Sequence, residues 1–190
     1  MNSIAQSPDD LIEDFVQSVA DALVAFDLWC VFENPPEDHQ AAIERHRLYF
    51  SSARHAHLTT AIVALYRLFE SNTRTVNIEQ LLESLDQVRS GFRNEVDNLE
   101  SLQSDAKVIW TKIAILRNNV FGHRNKDLSV DDFFERASLT ISDVWKLIHL
   151  CQDISKAIKN AWDGSAPVWP EYPKQALLDL LRTLGTESPE

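Results

Sequence analysis

The stretch VDNLESLQSDAKVIWTKIAILRNNVFGH, residues 96–123, decides how the chain is read. Val96, Leu99, Leu102, Ala106, Ile109, Ile113, Leu116 and Val120 recur three or four residues apart. That spacing puts them on one face of an α-helix, whose apolar stripe must be buried against other elements. The run ends in Arg117-Asn118, and Gly122 offers a cap before His123, Arg124 and Lys126. An aliphatic helix is thus expected to deliver a short cationic segment at its C-terminal end.

The same period extends outward in both directions. Ser7-Pro8-Asp9-Asp10 is a helix start: a hydroxyl cap, a proline in the first turn, and acids at the positive end of the dipole. Leu11, Phe15, Val19, Leu23, Phe26 and Cys30 follow at helical spacing, and Pro35-Pro36 ends that helix. A second long helix is expected from about Asp38 to Glu70. Asn77 with Gln80 resembles a capping box. Ile78, Leu81, Leu82, Leu85 and Val88 form the next stripe, which Gly91 ends or weakens. A short helical turn from Val130 is possible on the pattern. Thr140-Ile141-Ser142-Asp143 starts another helix, carrying Val144, Trp145, Ile148, Cys151, Ile154 and Ile158. After the loop DGSAPVWPEYP comes a short amphipathic helix with Leu177, Leu180, Leu181 and Leu184 on one side. It reads as a cap on the bundle rather than a partner-binding helix, because an exposed leucine stripe is a liability.

Long helices with short connections pack most easily as an antiparallel bundle. The expected fold class is therefore all-α: a four-helix-type bundle with additional short helices. Only 4 of 190 residues are glycine, and β-branched alternation is scarce, which also disfavours strands. The residues suggest no membrane span, since Asp27 interrupts the most hydrophobic N-terminal part, and no signal peptide. Cys30 and Cys151 sit in apolar helical patterns and read as core thiols, consistent with a reducing, cytoplasmic setting.

The net charge of −11 argues against a general nucleic-acid-coating protein. Its distribution says more. No Lys or Arg precedes Arg45, whereas ten acids do, so the remainder of the chain is close to neutral. The acidic stretch reads as a solvated helix face. Around residues 105–127, Lys107, Lys112, Arg117, Arg124 and Lys126 outnumber Asp105 and Asp127.

Six histidines invite a metal reading, and it fails on spacing. His55 and His57 are two apart and face different ways, and no i,i+4 pair with an acidic neighbour forms a zinc-helix pattern. No metal and no cofactor is expected. His149 reads as a partly buried packing residue. The five tryptophans lie on or beside apolar stripes and read as packing anchors rather than base-stacking platforms. There is no glycine-rich phosphate loop and no nucleophile elbow.

A helical bundle carrying RNNVFGH (residues 117–123) at the end of a long helix resembles the HEPN superfamily. Its signature is Arg, a polar residue, a few more residues, then His; Arg117, Asn118 and His123 fill those positions. With the upstream segment LYRLFESNTRTVNIEQLLESL (residues 65–85), the chain is similar to the AbiU-type, abortive-infection branch. The resemblance covers most of residues 10–160 and implies residues 1–163 as the HEPN-like bundle, with 164–190 a C-terminal loop and short helix.

What the resemblance implies is metal-independent endoribonuclease chemistry, in phage defence or as a toxin-like component. RNA would be the substrate, and an antitoxin or regulatory protein a possible partner. The residue types suit it. RNA supplies its own nucleophile, the 2′-hydroxyl. His123 could take or give the proton, since imidazole titrates near physiological pH. Arg117 carries a permanent charge in a fork that fits phosphate oxygens. Asn118 could orient either group, and Arg124 and Lys126 could hold flanking phosphates. Six residues at ~100° each leave Arg117 and His123 roughly 120° apart on an ideal helix. The superfamily's solution is a homodimer that brings two Arg-His pairs into one cleft, which the resemblance also implies here. The alternative is a non-catalytic HEPN module that binds RNA or a partner protein.

Overall fold

Ser7 caps the first helix as its sequence suggests: its hydroxyl accepts from the Asp10 amide at 3.2 Å, and its own N–H and hydroxyl donate to Asp10 Oδ2. The computed structural model describes residues 7–71, 75–121, 130–171 and 173–186. Among these the chain is all-α, without a strand. The helices are α1 (Pro8–Glu33), α2 (Gln40–Arg45), α3 (Arg47–Arg67), α4 (Ile78–Val88), α5 (Leu99–Phe121), α6 (Val130–Arg136), α7 (Ile141–Asp163) and α8 (Pro173–Thr186). Short 3-10 turns at Glu37–His39 and Phe92–Glu95 precede α2 and α5. This is the HEPN-like helical architecture expected.

The chain forms two compact units. The first takes Met1–Val19 and Ile62–Val168, hence the start of α1, the end of α3, and α4 to α7. Its core includes Phe15, Val19, Ile62, Leu65, Ile78, Leu81, Leu85, Phe92, Ile113, Leu147 and Ile154. α1 and α7 run antiparallel there. Trp162 Nε1 donates to Asp9 Oδ1 at 2.7 Å, and Lys159 Nζ donates to Glu13 Oε1 at 2.5 Å, so ascending positions on one helix meet descending positions on the other. Asp9 and Glu13 therefore tie two helices together, a role the solvated-face reading of the acidic stretch did not assign them.

Three chain breaks set up α5 and α7. Gly91, with φ +84°, adopts the left-handed conformation open to glycine and turns the chain after α4. Asn98, also left-handed at φ +55°, immediately precedes α5. Thr140 and Asp143 form a full capping box at the start of α7.

The same Asp143 receives Lys112 Nζ from the middle of α5 at 3.0 Å. Burial alone raises the Asp143 carboxyl, but the bonds from Lys112 and Thr140 outweigh it and hold the group below its ordinary value. A carboxyl depressed in the folded state binds fewer protons there than in the unfolded chain. Its contribution is present above about pH 4 and is lost as pH falls through the folded value. Asp143→Asn should therefore flatten the acid side of the stability curve by less than about 1 kcal/mol, since the pair is partly exposed. Urea midpoints between pH 3 and pH 6 measure this, and identical slopes in both proteins would contradict it.

The second unit takes Ala20–Ala61 and Trp169–Glu190. Val31, Phe32, Ala42, Phe50 and Leu181 form its buried core, flanked by Ile43, Ala53, Leu177, Leu178 and Leu184. The α8 stripe is thus covered, with one change of register. Leu178 packs inward, and Leu180 is half exposed. The expected long second helix is also broken: α2 ends at Arg45, and His46 (φ −111°, ψ 33°) leaves helical geometry before α3. Backbone bonds continue across the break, from His46 to Ala42 and from Phe50 to His46. It is therefore a kink at the end of α2, the helix that packs on α8, with no glycine or proline to announce it.

His39 anchors α8. The ring is buried, its Nε2 lies 2.9 Å from the Leu178 carbonyl oxygen, and its Nδ1 lies 2.6 Å from Asp38 Oδ1. His39→Ala is expected to cost about 1–3 kcal/mol, because it removes a buried polar contact along with its packing. The measurement is amide exchange across α8, which should accelerate more than exchange across α7. Equal protection in both helices would refute this role.

Two further sequence readings are corrected. His149 is exposed, its ring 6.0 Å from that of Trp145, so it is not a partly buried packing residue. α1 contains an 18-residue window with mean hydropathy 1.6, long and apolar enough by length and composition to cross a membrane. Asp27 does not prevent this, because one acid among so many apolar residues leaves the mean high. More than half of the window, 56%, is buried inside the protein, as a core helix requires. Cys151 is fully buried, and burial pushes its thiol far up, which makes it an inert core residue.

Candidate functional site

Arg117 and Asn118 lie in the penultimate turn of α5, and both are exposed. Their position follows from the stripe that precedes them. Ile109, Ile113 and Leu116 are buried, which turns the intervening polar positions outward. A cation this close to a helix C-terminus is favoured by the dipole.

The Arg117 side chain is not simply solvated. Its Cζ lies over the Tyr66 ring, 4.8 Å from the centroid, and its Nη1 donates to Asn118 Oδ1 at 3.1 Å. Among the described residues no carboxylate forms an ion pair with it. Tyr66 belongs to a small aromatic cluster at the end of α3. Its ring stacks on Trp110 with centroids 5.7 Å apart and planes 21° apart, and Trp110 Nε1 donates to the Tyr66 carbonyl at 2.9 Å. Phe69 also leans on Trp110, with centroids 6.4 Å apart and planes 49° apart. Trp110 and Arg117 are seven residues apart on α5 and so share one helix face.

Arg117 and Asn118 are therefore brought together, while His123, Arg124 and Lys126 lie outside the described residues. The aromatic cluster was missed in the sequence as part of a site. In the sequence Tyr66 and Phe69 fall within the expected second helix with nothing to mark them, and Trp110 reads as a packing anchor. The available signal was the i,i+7 spacing of Trp110 and Arg117, which marks one face of α5 as both aromatic and cationic.

Elsewhere, Arg89 shows how the same contact serves stability instead. Its guanidinium lies 4.7 Å from the Phe92 ring centroid and 5.4 Å from that of Trp162. It donates to the Ala161 carbonyl at 2.5 Å and pairs with Glu95 at 2.8 Å. Arg89 thus closes the last turn of α7: its two Nη groups are spent on carbonyls and a carboxylate of the protein itself, while its Nε is buried without a partner among the described residues. Arg117 differs: among the described residues it has a ring beneath it, one neighbouring amide oxygen and no carboxylate.

An all-α bundle whose long helix presents an exposed Arg-Asn pair just ahead of a histidine-bearing segment defines a HEPN-like domain. The family model for AbiU2 HEPN proteins, HEPN_AbiU2, matches residues 8–183, and the chain belongs to that family. The match runs past residue 160 and through most of α8. No curated protein and no solved structure matches the chain.

Proposed function

We propose that this protein is a metal-independent endoribonuclease acting in phage defence or as a toxin-like component, in the cytoplasm and without a membrane partner. Membership of the AbiU2 HEPN family supports a possible RNase or abortive-infection role. The observation that carries the finer reading is Arg117: an exposed guanidinium held against a ring and an amide, with no carboxylate paired to it among the described residues. In such a reaction the 2′-oxygen of RNA forms a bond to phosphorus and the 5′-oxygen leaves. His123 takes the 2′-proton or delivers one to the leaving oxygen, and Arg117 offsets the charge gathering on the phosphate oxygens. Asn118 orients the guanidinium through its Oδ1, and Arg124 and Lys126 hold flanking phosphates. One Arg-His pair is poor equipment for acid and base together, so the working form in this reading is a two-fold homodimer with a composite cleft.

The test is incubation of purified protein with structured RNA in excess chelator. The expected products end in a 2′,3′-cyclic phosphate and a 5′-hydroxyl. Sedimentation at micromolar concentration should give a dimer; a stable monomer would count against the composite cleft.

One observation favours a second reading. The net charge of −11 opposes broad RNA affinity, which suits a non-catalytic module that binds a partner protein or a restricted RNA. Binding without cleavage in the same assay supports the module.

A further inference from the structure

We propose that Tyr66 is a positioning residue of this site, with its ring fixing the Arg117 guanidinium in the attitude that meets phosphate. The inference rests on the reading of Arg117 as the phosphate-binding cation. An arginine side chain has many rotamers, and an exposed one spends most of its freedom in solvent unless something holds it. Among the described residues two contacts hold Arg117, the Tyr66 ring and Asn118 Oδ1.

These contacts differ in what they leave free. A carboxylate partner would cancel the charge and occupy the fork, as Glu95 does to Arg89. A ring face attracts the cation through its quadrupole without taking up a conventional acceptor. The guanidinium is therefore oriented yet still able to donate to phosphate oxygens.

Tyr66 can hold another group because it is itself held. Leu65, its neighbour in the chain, is fully buried in the first unit, which pins the end of α3. Trp110 grips Tyr66 twice, through its ring stack and through the Nε1 bond to the backbone carbonyl. Trp110 and Arg117 stand on the same face of α5, so one helix supplies both the grip on Tyr66 and the group that Tyr66 orients. Displacement of α3 along α5 would carry Tyr66 away from Arg117 and Trp110 together.

The test compares RNA cleavage by wild type, Tyr66→Met, Tyr66→Leu, Tyr66→Phe, Arg117→Ala and the double variant Tyr66→Met/Arg117→Ala. Met and Leu remove the π face while retaining apolar volume, and they are independent attempts at a folded variant. Each is expected to lower kcat roughly 3- to 30-fold, the fold-change a cation–π contact contributes, with KM changed less. Tyr66→Phe should recover the ring-dependent part. Adding Tyr66→Met to Arg117→Ala should cost nothing more, because the positioned group is already gone. A second readout needs no catalysis. The Arg117 Nε–H proton resonance should move downfield in Tyr66→Met and stay near its wild-type position in Tyr66→Phe, since the ring shields groups above it.

If Arg117→Ala abolishes cleavage and Tyr66→Met cleaves like wild type, the positioning role is overturned while the nuclease reading stands. A cost of Tyr66→Met that persists in the Arg117→Ala background assigns Tyr66 a structural role and likewise overturns the proposal. If Arg117→Ala leaves cleavage untouched, the reading beneath it falls and the proposal falls with it.

Discussion

Arg117→Ala and His123→Ala should each lower the rate of RNA cleavage by about 10²–10⁴-fold, the range over which a positioned acid–base group or a charge-stabilising donor contributes. The two losses have different physical origins. Without Arg117, the negative charge that grows on the phosphoryl oxygens has no fixed cation to meet it. Without His123, proton transfer at the 2′- and 5′-oxygens falls to water. In the proposed reaction both groups serve one transition state, so the double variant should be little slower than the worse single one. Arg117→Lys separates charge from geometry. It keeps the cation but loses the planar fork, so it should recover only part of the rate. The fold should survive in Arg117→Ala, since the side chain is exposed; its melting should shift by less than about 1 kcal/mol equivalent. Undiminished cleavage in both single variants would place the chemistry elsewhere or in a contaminant. Mixing the two inactive variants adds a test of the composite cleft, because mixed dimers carry one intact Arg and one intact His and should regain part of the activity.

Legibility in the sequence followed the range of the interactions. α7 could be read almost to the residue because its signals are local: the Thr140/Asp143 capping box at one end, and at the other Gly164 in the left-handed conformation with its N–H on the Asn160 carbonyl. α4 was readable for the same reason, with Asn77 Oδ1 accepting from the Gln80 amide at 3.1 Å. The kink at His46 was not, because it leaves no glycine or proline behind, and the helix it ends packs on α8, far away in the chain. The ties from Trp162 to Asp9 and from Lys159 to Glu13 were equally hidden, since each joins residues about 150 positions apart. At the candidate site, motif spacing singles out Arg117 and Asn118, because those residue types suit the proposed chemistry. Tyr66 carries no such chemistry of its own, and its contact with Arg117 exists only once the end of α3 lies beside α5.

Phe92→Ala should be among the most damaging single core changes, at about 3–5 kcal/mol. Phe92 is completely buried and sits in the short turn that Gly91 opens between α4 and α5. Its ring meets Trp162 edge-on at 5.6 Å and lies beneath the Arg89 guanidinium at 4.7 Å. Removing it leaves a cavity where three elements converge: the end of α4, the 3-10 turn and the C-terminal end of α7. The loss then spreads through Arg89, whose bonds to the carbonyls of Ala161 and Trp162 hold that end of α7. Without a ring beneath it, the guanidinium is freer to leave those carbonyls for water. Phe92→Leu tests this partition. It refills much of the volume without a π face, so it should recover most of the cavity cost but not the contribution of the cation–π contact, about 0.5–2 kcal/mol. Arg89→Ala in the Phe92→Ala background should then cost less than in wild type, because part of what Arg89 contributes runs through the ring. Urea unfolding measures all three, read as a shift in midpoint at constant slope. A loss below about 1 kcal/mol for Phe92→Ala would mean that the turn is not held from within, and that the backbone conformation at Gly91 and Asn98 alone sets the path from α4 into α5.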